Sequence, residues 1–180
     1  MPIHPLPELW LLSDARNDAA LEDALARLPE GSGFVFRHYH LVEEERRERF
    51  EMLRSICRSK NHLAVLAGDP ESARRWNADG VYGAPERLQN AAPMLRPRII
   101  VATAHDAAEI AAAEGAGADA IMLSPVYATR SHPGGAVLGP EGFQALASRT
   151  SLPVIALGGM TAERARTLGV TRWAAIDGLS

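Results

Sequence analysis

Cysteine, lysine and long apolar runs are all scarce in this 180-residue chain, and each scarcity closes off a class of function. Cys57 is the single cysteine, which excludes a disulfide framework and a cysteine-based metal site. No apolar run approaches the roughly 18 residues of a membrane span. The N-terminus, Met1 to Pro7, has neither a basic start nor a signal-like apolar run, so the expectation is a soluble cytoplasmic protein with no membrane partner. A net charge of −3 and the lack of any basic, aromatic-rich cluster give no case for a nucleic-acid partner. Lys60 is the single lysine, and the remaining basic side chains are arginines, which neither form Schiff bases nor serve readily as general bases.

What is present is a regular alternation. With 47% apolar residues and no low-complexity segment or linker, residues 1–180 read as a single domain with a sizeable core. Strand-like runs fall at Leu9–Ser13, Gly33–Tyr39, His62–Ala67, Gly80–Tyr82, Arg98–Ala102, Ala118–Leu123, Val154–Leu157 and Arg172–Ile176. Between them the pattern predicts helices over Asp18–Arg27, Glu43–Ser59, Glu71–Asn77, Ala104–Gly115, Pro140–Arg149 and Thr161–Leu168, with a short one near Pro85–Ala92. The strand runs are too continuously apolar for a one-sided sheet. The fold class is therefore α/β, a (β/α)8 TIM barrel, compressed because about 200 residues is the usual lower end for this architecture. No final helix follows the eighth strand, which leaves an edge open or covered by a second copy in a homo-oligomer. Lys60 lies before a strand, at the wrong end for a barrel active site, which argues against a lysine-imine aldolase. In the helix Glu43–Ser59, the pairs Glu43/Arg47 and Glu45/Arg49 at i,i+4 read as a solvated charged face.

The last third carries the functional signal. The runs 119–124 and 152–159 each end in small residues that open a loop, and the second delivers Gly158 and Gly159 towards a helix beginning near Thr161. Bare backbone N–H groups in such a place suit an anion. Two such loops on neighbouring parallel strands suggest a barrel mouth that grips a phosphorylated substrate. The glycines could equally serve turn geometry alone.

Three blocks, Val101–His105, Gly117–Thr129 and Pro153–Met160, resemble in order and spacing those of the thiamine phosphate synthase family, which includes a thiazole tautomerase branch. The resemblance runs from Trp10 to Ser180. It implies a barrel transferase that joins a hydroxymethylpyrimidine diphosphate to a thiazole phosphate, uses Mg2+ and releases pyrophosphate. Arg37 sits where the family holds the diphosphate, a task that suits a guanidinium fork. The family's flanking glutamine and lysine are Val35 and Tyr39 here. Asp69 matches a metal-binding aspartate, and a second metal carboxylate falls at Glu86 if one residue is deleted. The alternative is that Asp69 caps a helix and Glu86 is a surface residue. Thr103 replaces a serine that bonds the diphosphate, Thr129 matches a threonine of the loop over the thiazole, and His132 replaces a lysine with a group whose charge depends on pH. His105 reads as structural.

The thiazole phosphate is expected over Gly158 and Gly159, with Gly178 offering a further N–H. Asp177 stands at a family serine position, where its carboxylate would repel phosphate unless turned away or protonated. The chemistry asks the protein mainly for charge neutralisation on the leaving diphosphate and alignment of two rings. Two further readings stay open. A catalytically reduced relative would only bind a phosphorylated, thiazole-like metabolite, as the lost cations and Asp177 suggest. A tautomerase is less favoured, because that branch's histidine falls at Pro125.

Overall fold

A computed structural model describes residues 5–89, 99–131 and 133–179. Eight parallel strands close on themselves in sequence order: β1 (Leu9–Leu12), β2 (Gly33–Phe36), β3 (Leu63–Ala67), β4 (Gly80–Gly83), β5 (Ile99–Ala104), β6 (Ala120–Leu123), β7 (Val154–Leu157) and β8 (Trp173–Ala175). β8 returns to β1 through the register Leu9 to Trp173, Trp10 to Ala174 and Leu11 to Ala175. The helices are α1 (Leu21–Arg27), α2 (Glu43–Ser59), α3 (Pro70–Arg75), α4 (Pro85–Leu88), α5 (Ala107–Gly115), α6 (Gly139–Ala147) and α7 (Ala162–Leu168), with a 3-10 turn at Asp18–Ala20. This is the expected TIM barrel, and among the described residues no helix follows β8. Nor is any described helix long and apolar enough to cross a membrane.

The period-2 alternation of side chains sorts the strand residues into two layers. Trp10, Leu12, Val35, Val65, Val101, Met122 and Ile155 fill the barrel, while Leu11, Phe34, Phe36, Leu66, Ile100, Ile121 and Leu123 pack outward beneath the helices. Both faces of each strand are therefore buried, which explains the continuous apolar runs. Trp10 plugs the interior only because Gly33 faces it. A Cβ at Gly33 would lie 2.2 Å from the indole, whose Nε1–H donates to the Pro7 carbonyl at 2.9 Å.

Several element ends differ from the sequence expectation. β2 stops at Phe36, short of Tyr39, because His38 turns the chain at φ +39 and is drawn inside. β5 runs on to Ala104, while Arg98, expected to open it, lies outside the described residues. α5 starts three residues late because Asp106 caps it, accepting from Glu109 N. The short helix expected near Pro85–Ala92 is α4, and its last expected residues lie outside those described.

The charged face of α2 is also not the simple solvated face expected. Arg47 pairs with Glu51 rather than Glu43, Glu43 faces Arg75 at 3.4 Å, and Arg49 binds Asp18 and Glu22 across to the preceding helical segment. Carboxylates on a neighbouring, less solvated element give the guanidinium several bonds at once, which an i,i+4 partner cannot. Lys60 follows α2 on the N-terminal side of the strands, as expected.

Two buried histidines have defined protonation. Ser32 N–H donates to His62 Nδ1 at 3.1 Å, so the ring proton sits on Nε2 and donates to the Leu25 carbonyl at 3.0 Å. The Ser13 hydroxyl accepts from Arg37 N–H at 2.7 Å, so its own proton goes to His38 Nδ1, and His38 Nε2–H donates to Asp18 at 2.8 Å. Burial lowers the pKa of both histidines, although Asp18 works against this at His38. A histidine whose pKa is lowered by folding binds more protons unfolded than folded. Stability is therefore full above about pH 6.5 and falls as pH drops below it, by up to about 1.4 kcal/mol per pH unit for each histidine. Urea unfolding from about pH 7.5 to 5.5 should show this decline, and His62→Gln should flatten part of it. A pH-independent midpoint in the wild-type protein would overturn the assignment of neutral buried rings.

Candidate active site

The strand C-termini surround a cavity of about 930 Å³ at the mouth of the barrel. Its walls come from successive strand ends: Arg37 after β2, Tyr82 in β4, Thr103 in β5, Thr129 after β6, Gly158 and Gly159 after β7, and Asp177 and Gly178 after β8. A second chamber of about 460 Å³ adjoins it, lined by Arg37, Tyr39, Gly68, Tyr82, Gly83, Ala84, Arg87 and Thr103. Arg37, Tyr82 and Thr103 belong to both, so they form the junction.

Arg37 is held before any ligand arrives. Its Nε donates to the Ser13 carbonyl at 2.8 Å and its Nη2 to Asp14 at 2.9 Å. The side chain is only 18% exposed, so its orientation is fixed where it lines both cavities. Beside it, burial pushes the Tyr82 hydroxyl up to about 12, which keeps it a neutral hydrogen-bonding group near neutral pH.

The glycine wall has a steric origin. Gly158 takes φ +104, and a Cβ there would lie 2.7 Å from Pro125 Cα; Gly159 takes φ +60, with Ala128 O at 2.6 Å from its Cβ position. The loop after β6 is laced to this turn by Val126 N–H to Leu157 O and Tyr127 N–H to Gly158 O, at 2.9 and 3.0 Å. Gly178 closes in likewise, with Met160 O 2.7 Å from its Cβ position. Backbone from three loops thus meets the cavity with no side chains between. Arg164 in α7 completes this wall, donating to the Gly159 carbonyl while its guanidinium lies 4.7 Å from the Tyr127 ring centre.

Asp177 does line the cavity, but its carboxylate faces Arg16 at 3.4 Å. Arg16 also reaches Asp14 at 3.7 Å and donates to Ser131 Oγ at 3.3 Å. The charge expected to repel phosphate therefore has a paired cation that the sequence reading did not single out. Thr129 lines the cavity, with its Oγ1 accepting from Ser131 N–H at 2.9 Å. His132 lies outside the described residues, although its neighbours Arg130 and Ser131 line the cavity. His105 is also at the rim, bonded through Nδ1 to Glu109 at 2.8 Å.

The expected metal carboxylates do not join this group. Both are exposed, and neither lines either chamber. The Asp69 carboxylate caps α3, one oxygen accepting from Ser72 N–H and the other from Ser72 O–H, each at 2.8 Å. No group of three or more histidine, cysteine or acidic side chains suited to a metal occurs among the described residues. Asp69 and Glu86 are the chain neighbours of Gly68 and Arg87, which line the smaller chamber, but are not themselves in its wall. Tyr82, Arg16, Arg87, Arg130 and Arg164 are among the lining residues that the sequence reading missed. The available signal was position: each lies in a strand's last turn or within a few residues beyond a strand or its loop, on the catalytic face of such a barrel.

The thiamine monophosphate synthase family model matches residues 10–179. A bifunctional thiamine biosynthesis protein of Symbiobacterium thermophilum is 35% identical over 167 residues, which is 89% of this chain but only 35% of that relative's length. Thiamine-phosphate synthase of Pyrococcus furiosus is 26% identical over 178 residues, covering 96% of this chain and 84% of its own. The solved structure of a thiamine phosphate pyrophosphorylase from Pyrococcus furiosus superposes with a TM-score of 0.77 at 27% identity, over 94% of this chain and 85% of that one.

The close approach of the loops at Gly158 is open to test. Gly158→Ala adds a Cβ against Pro125 at a positive φ and should cost about 2 kcal/mol or more in urea unfolding. Gly115→Ala, at the end of α5 with nothing within 4 Å of its Cβ position, should be neutral or slightly stabilising. Equal effects from the two would mean that the loops do not meet as described.

Proposed function

The chain belongs to the thiamine monophosphate synthase family, and we propose that it is a transferase of the cytoplasm that joins a hydroxymethylpyrimidine diphosphate to a thiazole phosphate with release of pyrophosphate. The observation that supports this reading is the pair of contiguous chambers meeting at Arg37, Tyr82 and Thr103. One is walled by the backbone of Gly158, Gly159 and Gly178, and the other by guanidinium and hydroxyl groups. Two phosphorylated partners can then lie side by side with their reacting rings near the junction.

In this reading the glycine backbone receives the thiazole phosphate, with Arg16 and Arg164 supplying positive charge nearby. Arg37 and Thr103 hold the diphosphate. The bond from the pyrimidine methylene carbon to the diphosphate oxygen breaks, and its electron pair leaves with pyrophosphate. The thiazole nitrogen lone pair then forms the new C–N bond to that carbon. No protein nucleophile is required; Arg37, immobilised on Ser13 and Asp14, meets the charge that grows on the leaving group without reorganising. Asp69 and Glu86 line neither chamber, and no step is assigned to a metal.

Calorimetric titration with thiazole phosphate and with pyrophosphate, followed by a turnover assay with both substrates, tests the reading. Binding of both and formation of thiamine phosphate are expected. Arg37→Ala should weaken pyrophosphate by about 1.5–3 kcal/mol, the range for hydrogen bonds to charged groups. Unchanged pyrophosphate affinity would remove Arg37 from the diphosphate site. Neutral Tyr39 in the wall of the smaller chamber, where the resemblance expects a lysine, favours one second reading, a relative that binds without turnover. Thiazole phosphate binding with no product would support that reading and reject the first.

A further inference from the structure

We propose that Arg87 is the principal cation of the smaller chamber, which Arg37 also lines, and that these two arginines hold a diphosphate group without a divalent metal. The inference rests on the substrate reading above and extends it to a residue and a mode of binding that the reading does not contain. The starting observation is the composition of the chamber wall. Among the described residues it carries two guanidinium groups, two phenols, one threonine hydroxyl and two glycines, and no carboxylate. Such a wall offers positive charge and hydroxyl donors with no opposing carboxylate, which is the chemistry of an anion site.

The two arginines are not equivalent. Arg37 gives its Nη2 to Asp14 at 2.9 Å, so part of its charge is already neutralised. Arg87 has no ion pair with any described residue, and its guanidinium is the larger unspent charge on the chamber. Its backbone is nevertheless pinned. Pro85 and Leu88 on either side of it are buried, and Arg87 N–H donates to the Ala84 carbonyl at 3.0 Å. The strands beneath approach closely at this point, with the Gly68 carbonyl 3.4 Å from the Cβ position of Gly83. A side chain on a fixed turn at the chamber edge can close on a ligand with little loss of backbone entropy.

No carboxylate that could hold a metal lies in the chamber wall: Asp69 is turned to Ser72 as a helix cap, and Glu86, although next to Arg87 in the chain, does not line the chamber. A diphosphate offers paired non-bridging oxygens, and a guanidinium meets two of them at once. Two such forks can neutralise an anion that would otherwise enter with a cation bound.

Titration of the full chain with inorganic pyrophosphate, in EDTA and then in Mg2+, decides this. The wild-type protein should bind in EDTA with an affinity within about threefold of that in Mg2+, a difference of under 1 kcal/mol. Arg87→Met should lose about tenfold or more in EDTA, with Arg87→Lys intermediate and thiazole phosphate affinity unchanged in both. Circular dichroism and thermal unfolding of each variant establish that it is folded. Binding that requires Mg2+, or an Arg87→Met variant that binds as wild type, would overturn the proposal. A protein that binds pyrophosphate through Arg87 in EDTA but ignores thiazole phosphate would sustain this inference and reject the substrate pair.

Discussion

A single buried hydroxyl fixes the geometry of the catalytic face. Ser13, fully buried one residue beyond β1, extends the ladder by donating its N–H to Val35 O at 2.9 Å, and its side chain is fully committed. The hydroxyl takes Arg37 N–H and passes its proton to His38, whose ring stacks on Phe36 with centroids 4.7 Å apart and ends on Asp18. Asp18 in turn holds Arg49 of α2. Every member of this chain would be costly to leave unpaired in a low-dielectric interior, so the members fix one another. A serine, a histidine and an aspartate in line resemble a nucleophile relay, but Ser13 is sealed away, and the line serves to aim Arg37.

The outer side of the same corner is held by Arg46. Its Nε donates to the Arg37 carbonyl at 2.8 Å and its Nη2 to the Ala67 carbonyl at 2.6 Å, tying the ends of β2 and β3 together. The rings of Trp76, Tyr39 and Phe36 surround the guanidinium at 5.3 to 5.7 Å. The first of these strands leads directly into Arg37, one of the three residues at which the chambers meet. The opposite wall achieves rigidity by other means, through glycines that let three loops touch backbone to backbone.

The barrel could be read from the sequence because its signals are local and repeated. Apolar runs of three to six residues recur with helical stretches between them, the pattern of a parallel, doubly covered sheet. Gly158, Gly159 and Thr103 could be placed at the barrel mouth because they sit in the resembling blocks, and Arg37 because it follows the strand-like run that becomes β2. Arg16, Arg46 and Arg87 were not, since an arginine side chain spans several ångströms and finds its partner only after the strands are closed. Asp69 shows the converse problem. An aspartate before proline at a strand end suits a metal ligand and a helix cap equally well, and only the position of Ser72 reveals the cap. The eye drawn to Asp177 as a repulsive charge missed Arg16, remote in sequence and adjacent in space.

That last pairing bears on how a site with acids in its walls can still receive phosphate. Asp14 and Asp177 do reduce the net charge of the mouth, yet each holds an arginine: Asp14 orients Arg37, and Asp177 orients Arg16. In a reaction whose barrier is set by charge developing on a leaving group, a fixed donor is worth more than a mobile one of greater charge, because it need not reorganise as the bond breaks. A lysine could not be fixed this way, since its ammonium is a point charge on a flexible stem, whereas a guanidinium can spend one edge on a carboxylate and keep another for the ligand. With its one lysine on the far side of the barrel, this chain has built its mouth entirely from groups that can be both held and used.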